Sequence, residues 1–236
     1  MIFKRYLFII PARKNSKGLP GKNVKLLGGK KLISYSIEFA LNICTSDDVI
    51  CISSNDDEVI DIAKQYDLNP PFIRPEYLSS DSSTTFDVIK HALDFYSKRG
   101  IEFSHFVLLQ PTSPFRLVSD FRGIEKISNE SNADMVVSVK IAKESPYFTI
   151  FKENENGDLE RFVTSPIYPN RQDCPLVYTY NGSIYLIKTN SFSQTQNFAF
   201  KRIKKFIMPE ERSIDIDYQS DWVLAEYFLN KNNENS

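Results

Sequence analysis

The stretch from Phe8 to Asn23, FIIPARKNSKGLPGKN, decides how this chain is read. An apolar strand, Tyr6 to Ile10, runs into Pro11. Behind it comes a loop carrying Arg13, Lys14, Lys17 and Lys22, with glycines at 18 and 21. Glycine lets backbone N–H groups turn toward a ligand. Convergent N–H groups with Lys and Arg suit a polyphosphate. Open α/β sheets bind ligands at the carboxyl ends of their strands, which is where this loop lies. It is neither the Walker loop, which needs a Gly five residues before Gly-Lys and Ser or Thr after it, nor the G-x-G-x-x-G fingerprint. The plain alternative is a solvated basic loop.

Outward from that loop, strand and helix patterns alternate through about residue 140. Leu32 to Ile43 has helical spacing of its apolar residues. Val49 to Ile52 reads as a buried strand and Asp57 to Tyr66 as a helix. Phe72-Ile73 reads as a short strand between prolines. Thr84 to Lys98 reads as a helix, and Phe106 to Leu109 as a strand covered on both faces. Asp120 to Ile127 reads as a helix and Met135 to Val139 as a strand. This order predicts an α/β fold with a doubly wound, mostly parallel sheet.

The pattern breaks between residues 143 and 179. Prolines at 146, 166, 169 and 175 interrupt any helix, and Phe148–Phe151 with Leu159–Phe162 flank an Asn-Gly turn as a β-hairpin would. The core pattern resumes at Gly182 to Ile187, with a further strand at Ile203 to Met208. A last helix is expected at Trp222 to Leu229, then a frayed polar tail from Asn230. The 236 residues read as one domain, 1–236, carrying an excursion at 143–179.

Hydrophobic residues make up 42% of the chain and charged residues 25%, ordinary for a globular protein. The net charge of −1 leaves no global basic field for nucleic acid, so the cations of the first loop suit a small anion better. No run approaches the ~20 apolar residues of a membrane span. Cys44, Cys51 and Cys174 show no paired metal spacing, and a reducing cytoplasm is the expected location. No signal peptide is expected from the strand-like start. His91 and His105, the only histidines, lie away from the loops of interest and read as structural.

Three further stretches carry chemistry. In Ser213-Ile214-Asp215-Ile216-Asp217, strand alternation would bury the isoleucines and send both carboxylates to the other face, roughly 6.6 Å apart. Such a pair can hold Mg²⁺, which binds through one or two carboxylates plus substrate phosphate; solvated aspartates on a polar strand face are the alternative. In LLQPTSPFR, Leu108 to Arg116, a buried strand ends in a proline-stiffened loop. Gln110 there offers a donor and an acceptor to a sugar, and Arg116 can hold an anion or tie down the loop. Arg74, with hydroxyls at Thr84 and Thr85 opening a helix, could embrace a nucleotide, although Thr at a helix start is also an ordinary cap.

The first loop, S-I-D-I-D and L-L-Q-P-T-S-P-F-R together resemble the cytidylyltransferases that activate acidic keto sugars, above all the acylneuraminate (sialic acid) enzymes. The resemblance spans nearly the whole chain. It implies a nucleotide-diphospho-sugar transferase fold, Rossmann-like, with the 143–179 hairpin as a dimerisation arm in a homodimer. It implies CTP and a sialic-type nine-carbon keto sugar acid as substrates, CMP-sugar and pyrophosphate as products, and Mg²⁺ as cofactor. Arg13, Lys22 and Asp217 would be catalytic. Arg13, Asn15, Ser16, Lys22, Asn23, Arg74 and Thr85 would hold the nucleotide, Asp215 and Asp217 the metal. Gln110, Arg171, Tyr180 and Asn181 would hold the sugar. The family pattern tends to show Ser where Thr85 stands. Some sialate members carry a second Arg two residues before the Asn, where this chain has Thr179; N-acetylneuraminate and relatives such as legionaminate therefore both stay open. An enzyme for the eight-carbon keto-deoxy-octulosonate, and a non-catalytic nucleotide-sugar binding module, are the alternatives.

Overall fold

The computed structural model describes residues 1–14, 18–195 and 197–234, with side chains to residue 231. In chain order come β1 (Ile2–Ala12), β2 (Leu26–Leu27), β3 (Lys30–Lys31) and α1 (Leu32–Ile43). Then follow β4 (Val49–Ser54), α2 (Asp57–Gln65), α3 (Thr85–Ser97), β5 (Ile101–Leu109), α4 (Val118–Glu130) and β6 (Met135–Ile141). The rest comprises β7 (Phe151–Glu153), β8 (Leu159–Arg161), β9 (Tyr178–Lys188), α5 (Thr189–Ser193), β10 (Ile203–Ile207) and α6 (Gln219–Glu234).

One sheet organises the molecule, with strand order β10-β6-β9-β5-β1-β4. Five strands run the same way; β9 lies between β5 and β6 and is antiparallel to both. The alternation on β1 explains the two cores. Tyr6, Phe8, Ile10 and Ala12 face one side, where Ile37, Val59 and Phe121 come from α1, α2 and α4. Leu7 and Ile9 face the other, against Ile89 and Ala92 of α3 and Phe192 of α5. Helices therefore cover both faces, as the βα alternation requires. Phe8, Phe106 and Phe121 are fully buried, and each such side chain stabilises the fold by roughly 1.5–3 kcal/mol.

A third cluster matters more for function. Leu19 of the first loop packs with Ile214, Ile216, Trp222 and Ala225. α6 thereby holds the first loop and the aspartate segment against each other.

Several expectations change. Residues 72–73 form no strand, only an isolated parallel bridge of Ile73 to Ser54, because the prolines around them remove ladder donors. The segment 213–217 has no regular secondary structure and joins no ladder. Its Ile216 N–H reaches the Thr112 carbonyl at 2.8 Å. The expected alternation survives all the same: Ile214 and Ile216 are buried while Asp217 is exposed. The hairpin strands are shorter than expected, because the N–H groups of residues 148–150 all turn back to the Ser145 carbonyl. The last helix continues to Glu234, through residues expected to fray. Among the described residues no helix is long and apolar enough to cross a membrane.

Candidate active site

A cleft of about 500 Å³ opens at the carboxyl ends of β1 and β5. β1 outruns β5 there: its last partner on β5 is Leu108, opposite Ile9, while pairing with β4 goes on to Ala12. Pro11 thus stands where one side of the strand has no neighbour, so its missing N–H is harmless.

The first loop supplies the cationic wall. Gly21 is left-handed (φ 66°) and leads into a 3-10 turn, Lys22–Val24. Lys22 is buried, and its Nζ donates to Ile216 O and to Asp217 Oδ1, each at 2.8 Å. Asn23 Nδ2 donates to Arg13 O at 3.2 Å. Arg13 Nη1 reaches Ser80 O at 3.3 Å and Asp81 Oδ1 at 3.2 Å. Gly18 lies against the carboxylate segment: a Cβ on it would sit 2.3 Å from Asp217 O. Lys14 is exposed, and its side chain does not line the cleft. Asn15 and Ser16 lie outside the described residues.

Asp215 and Asp217 both line the cleft. Asp215 is partly buried, and its Oδ1 has no hydrogen-bond partner among the described residues. Burial pushes its carboxyl above the ordinary range and Asp217 adds to this, while Thr112, Lys22 and Arg116 pull it back. Asp217 is more exposed, with its backbone N–H on Asp221 Oδ2 at 2.9 Å. A buried carboxylate oxygen without a partner is costly unless a cation or donor completes it. The pair therefore fits a hard divalent ion sharing phosphate oxygens. Among the described residues no third His, Cys, Asp or Glu completes a ligand cluster, so the remaining ligands must come from substrate or water.

The opposite wall follows β5. Gln110 lines the cleft. A Cβ on Gly182 would stand 2.8 Å from both Gln110 Oε1 and Asp215 Oδ2. Gly182 (φ 71°) thus admits both side chains at once, a role that no expectation covered; the Asn181-Gly182 pair is its only mark in the sequence. Arg116 ties down the loop rather than holding an anion. It is buried, with Nε on Ser183 O (2.8 Å), Nη1 on Ser36 Oγ (2.9 Å) and Nη2 on Gln110 O. Burial lowers its guanidinium to about 9.

Arg74 and Thr85 line the same cleft, with Leu78 and Val88 adding apolar lining. Arg74 is buried, Nε on Ser53 Oγ at 3.0 Å, and burial with Arg13 nearby lowers it to about 10. The cap of α3 is Thr84, closed by a reciprocal bond with Asp87; Thr85 is the first helical residue.

Three expected sugar contacts are not brought to the cleft within one chain. Arg171 donates to Lys143 O and lines a separate depression with Lys143 and Gln172. Tyr180 is exposed, edge-on to Tyr185 at 5.9 Å. Asn181 is wholly buried and hydrogen-bonded internally. Neither histidine lines this cleft: His91 packs edge-on to Phe72 at 4.5 Å and His105 to Tyr6 at 6.0 Å.

A cationic glycine loop joined to two carboxylates at one strand-end cleft is the arrangement of a nucleotide-binding α/β protein of the transferase type. The model of the family described as Cytidylyltransferase matches residues 7–227, and the chain belongs to that family. It is 33% identical over 237 residues to a CMP-N,N'-diacetyllegionaminic acid synthase of Legionella pneumophila, covering 98% of each chain. A pseudaminic acid cytidylyltransferase of Campylobacter jejuni is 31% identical over 233 residues, again with 98% of each chain covered. An N-acylneuraminate cytidylyltransferase of Escherichia coli is 32% identical over 97% of this chain and 53% of its own length. Among solved structures, a CMP:2-keto-3-deoxy-manno-octonic acid synthetase complexed with CTP superposes with a TM-score of 0.68 at 15% identity, covering 97% of this chain and all of that one. That likeness shows the fold.

Proposed function

We propose that this chain transfers CMP from CTP to the anomeric hydroxyl of a sialic-type nine-carbon keto sugar acid, with release of pyrophosphate. The observation that carries the reading is the pair Asp215 and Asp217, one oxygen unpartnered and buried, set against Lys22 and Arg13 in one cleft. A mere binding module has no use for a carboxylate pair held in that way. The names of the relatives point to sialic-type acids: legionaminate and pseudaminate for the two matched along nearly their whole length, and neuraminate for the one matched over about half.

In this reading the triphosphate lies along the first loop. The sugar hydroxyl oxygen forms a bond to the α-phosphorus, and the bond from that phosphorus to the oxygen bridging to the β-phosphate breaks. Lys22 and Arg13 neutralise the charge gathering on pyrophosphate; positioning and charge stabilisation carry most of such a reaction. The hydroxyl proton passes to Asp217 Oδ2, the oxygen not engaged by Lys22. Gln110 orients the sugar. Asp215 and Asp217 would hold Mg²⁺, which when bound supplies Lewis-acid polarisation of the phosphate. Arg74, Asn23 and Thr85 hold the nucleotide, with CTP preferred over UTP.

The arm makes a homodimer in this reading. Its exposed Phe151, Leu159, Phe162 and Ile167 support it, because several large apolar side chains left uncovered in one short segment suit burial against a partner. Arg171 and Tyr180 would then serve a site shared between copies. Pyrophosphate release from CTP or UTP, with a panel of acidic keto sugars, tests the activity. Equal rates with UTP, or no release with any nine-carbon acid, would sink it.

A further inference from the structure

Between the two walls of the cleft lies a buried polar cluster that the transfer step does not use. β9 leaves its ladder with β6 here. Val137 pairs with Tyr185 but Val139 pairs with Tyr180, so residues 181–184 stand opposite the single residue Ser138. The pairing with β5 also ends at this level, with Leu109 opposite Ile184. The bulge therefore sits directly under the cleft.

Asn181 fills the bulge. Its Oδ1 accepts from Ser138 Oγ (2.7 Å) and from Ser183 N (3.2 Å). Its Nδ2 donates to Ser213 Oγ (2.9 Å) and to Met208 Sδ (3.4 Å). Two acceptor sites and two donors are all an amide has, so none is left for a sugar. Its backbone carbonyl accepts from Ser113 Oγ at 3.0 Å.

The two serines lead to opposite walls. Ser213 opens the carboxylate segment, two residues before Asp215. Ser113 belongs to the glutamine loop, and its N–H returns to Gln110 O at 3.2 Å. Neither carboxylate nor glutamine sits in a strand ladder, so these bonds help to register them, beside the tether from Ile216 to Thr112 and the grips of Lys22 on Ile216 O and of Arg116 on Gln110 O. We propose that Asn181 is a positioning residue: through Ser213 it sets the aspartate pair, and through Ser113 it sets Gln110, at the spacing the cleft needs. The proposal rests on the activity argued above.

The test compares wild type with Ser213→Ala, Ser113→Ala and Asn181→Ala. Mn²⁺ binding in the presence of CTP is followed by electron paramagnetic resonance, the sugar KM by pyrophosphate release, and folding by melting temperature. Ser213→Ala is expected to weaken Mn²⁺ binding roughly tenfold, the usual effect of removing a group that orients metal ligands, with the sugar KM little changed. Ser113→Ala is expected to raise the sugar KM and leave Mn²⁺ binding alone. Asn181→Ala should weaken Mn²⁺ binding as Ser213→Ala does; should it fail to fold, the two serine variants decide. Loss of melting temperature alone in both serine variants would reduce the cluster to fold maintenance and overturn the proposal. So would an Asn181→Ala change confined to the sugar KM, which would make Asn181 a sugar contact. If wild type releases no pyrophosphate with any acidic keto sugar, the activity falls, and the Mn²⁺ titrations still decide the positioning. Wild type that binds no Mn²⁺ overturns it.

Discussion

The first loop with residues 213–218 forms a wall whose polar groups meet inside one chain. Lys22 grips both Ile216 O and Asp217, Gly18 packs on the Asp217 carbonyl, and Asp221 holds the Asp217 and Tyr218 N–H groups. The excursion at 143–179 is built the other way. Phe151, Leu159, Phe162, Ile167 and Leu176 are exposed, and Arg171 donates to a backbone carbonyl of its own arm. The contrast teaches that the polar groups of the first wall engage one another within one chain, whereas the arm leaves large apolar side chains uncovered.

The largest expected effect strikes the first region. Asp217→Asn should nearly abolish pyrophosphate release, because an amide is a poor substitute for a carboxylate on a hard cation. Its stability should stay within about 0.5 kcal/mol of wild type, since the side chain is exposed. Normal turnover at limiting Mg²⁺ would remove Asp217 from the site.

Deleting the hairpin between Ser145 and Phe162 tests the other region. The core sheet should still fold, while sedimentation velocity should show a monomer and turnover should collapse. A wild-type protein that is fully active as a monomer at micromolar concentration would break the comparison.

Two cations of the same loop sharpen it further. Lys22→Ala should cut turnover by on the order of 10²–10³, or about 2.7–4 kcal/mol, as for other preorganised charge stabilisers. Lys14→Ala should change it little, because Lys14 faces solvent. Equal mild effects would make the loop a diffuse basic surface.

Gly182→Ala should damage both walls of the cleft. The new Cβ meets Asp215 and Gln110 at 2.8 Å, and the left-handed backbone alone costs about 1–2 kcal/mol, a fall of roughly 2–8 °C in melting temperature for a chain of this size. Unchanged kcat and melting temperature would contradict the packing described.

The smallest effect comes from a carboxylate at the opposite end of the sheet. Asp134 is bound by Arg202 and Ser191 and is lowered from 3.8 to about 2. Its folded value is depressed, so its stabilisation is present above pH 3.8 and fades as pH falls toward 2. After screening at the exposed Arg202 end it is worth on the order of 1 kcal/mol. Asp215 is shifted upward by burial and acts in the opposite sense. Asp134→Asn should flatten the acid limb of a urea-denaturation series between pH 4 and 2; an unchanged limb would discount the ion pair.

Much of the molecule was legible from residue pattern. The span Leu32–Ile43 is helical as its apolar spacing requires, and the βα alternation does produce helices on both faces of a mostly parallel sheet. Arg13, Lys22, Asn23, Arg74, Thr85, Gln110, Asp215 and Asp217 do converge on one cleft, because each lies at or just after a strand end, or in a short motif whose residue types fit phosphate or metal. The direction of β9 was not legible. A continuous apolar run looks the same in a parallel and an antiparallel buried strand, and only its neighbours decide.

What the sequence by itself determined is local: which segments alternate, which loops carry cations, carboxylates and glycines, and that an aromatic, proline-broken excursion departs from the sheet. These follow from periodicity and side-chain chemistry, which act between near neighbours. Tertiary structure alone decided that the Asn181 side chain is buried and hydrogen-bonded internally, that a Cβ on Gly182 would crowd Asp215 and Gln110, that Arg116 braces a loop, and that Lys22 rests on Asp217 across 195 positions of chain. Those roles depend on which atoms lie opposite at the crowded ends of packed strands. Spacing along the chain cannot encode that, because the partners are brought together only when the third apolar cluster and the β9 bulge have formed.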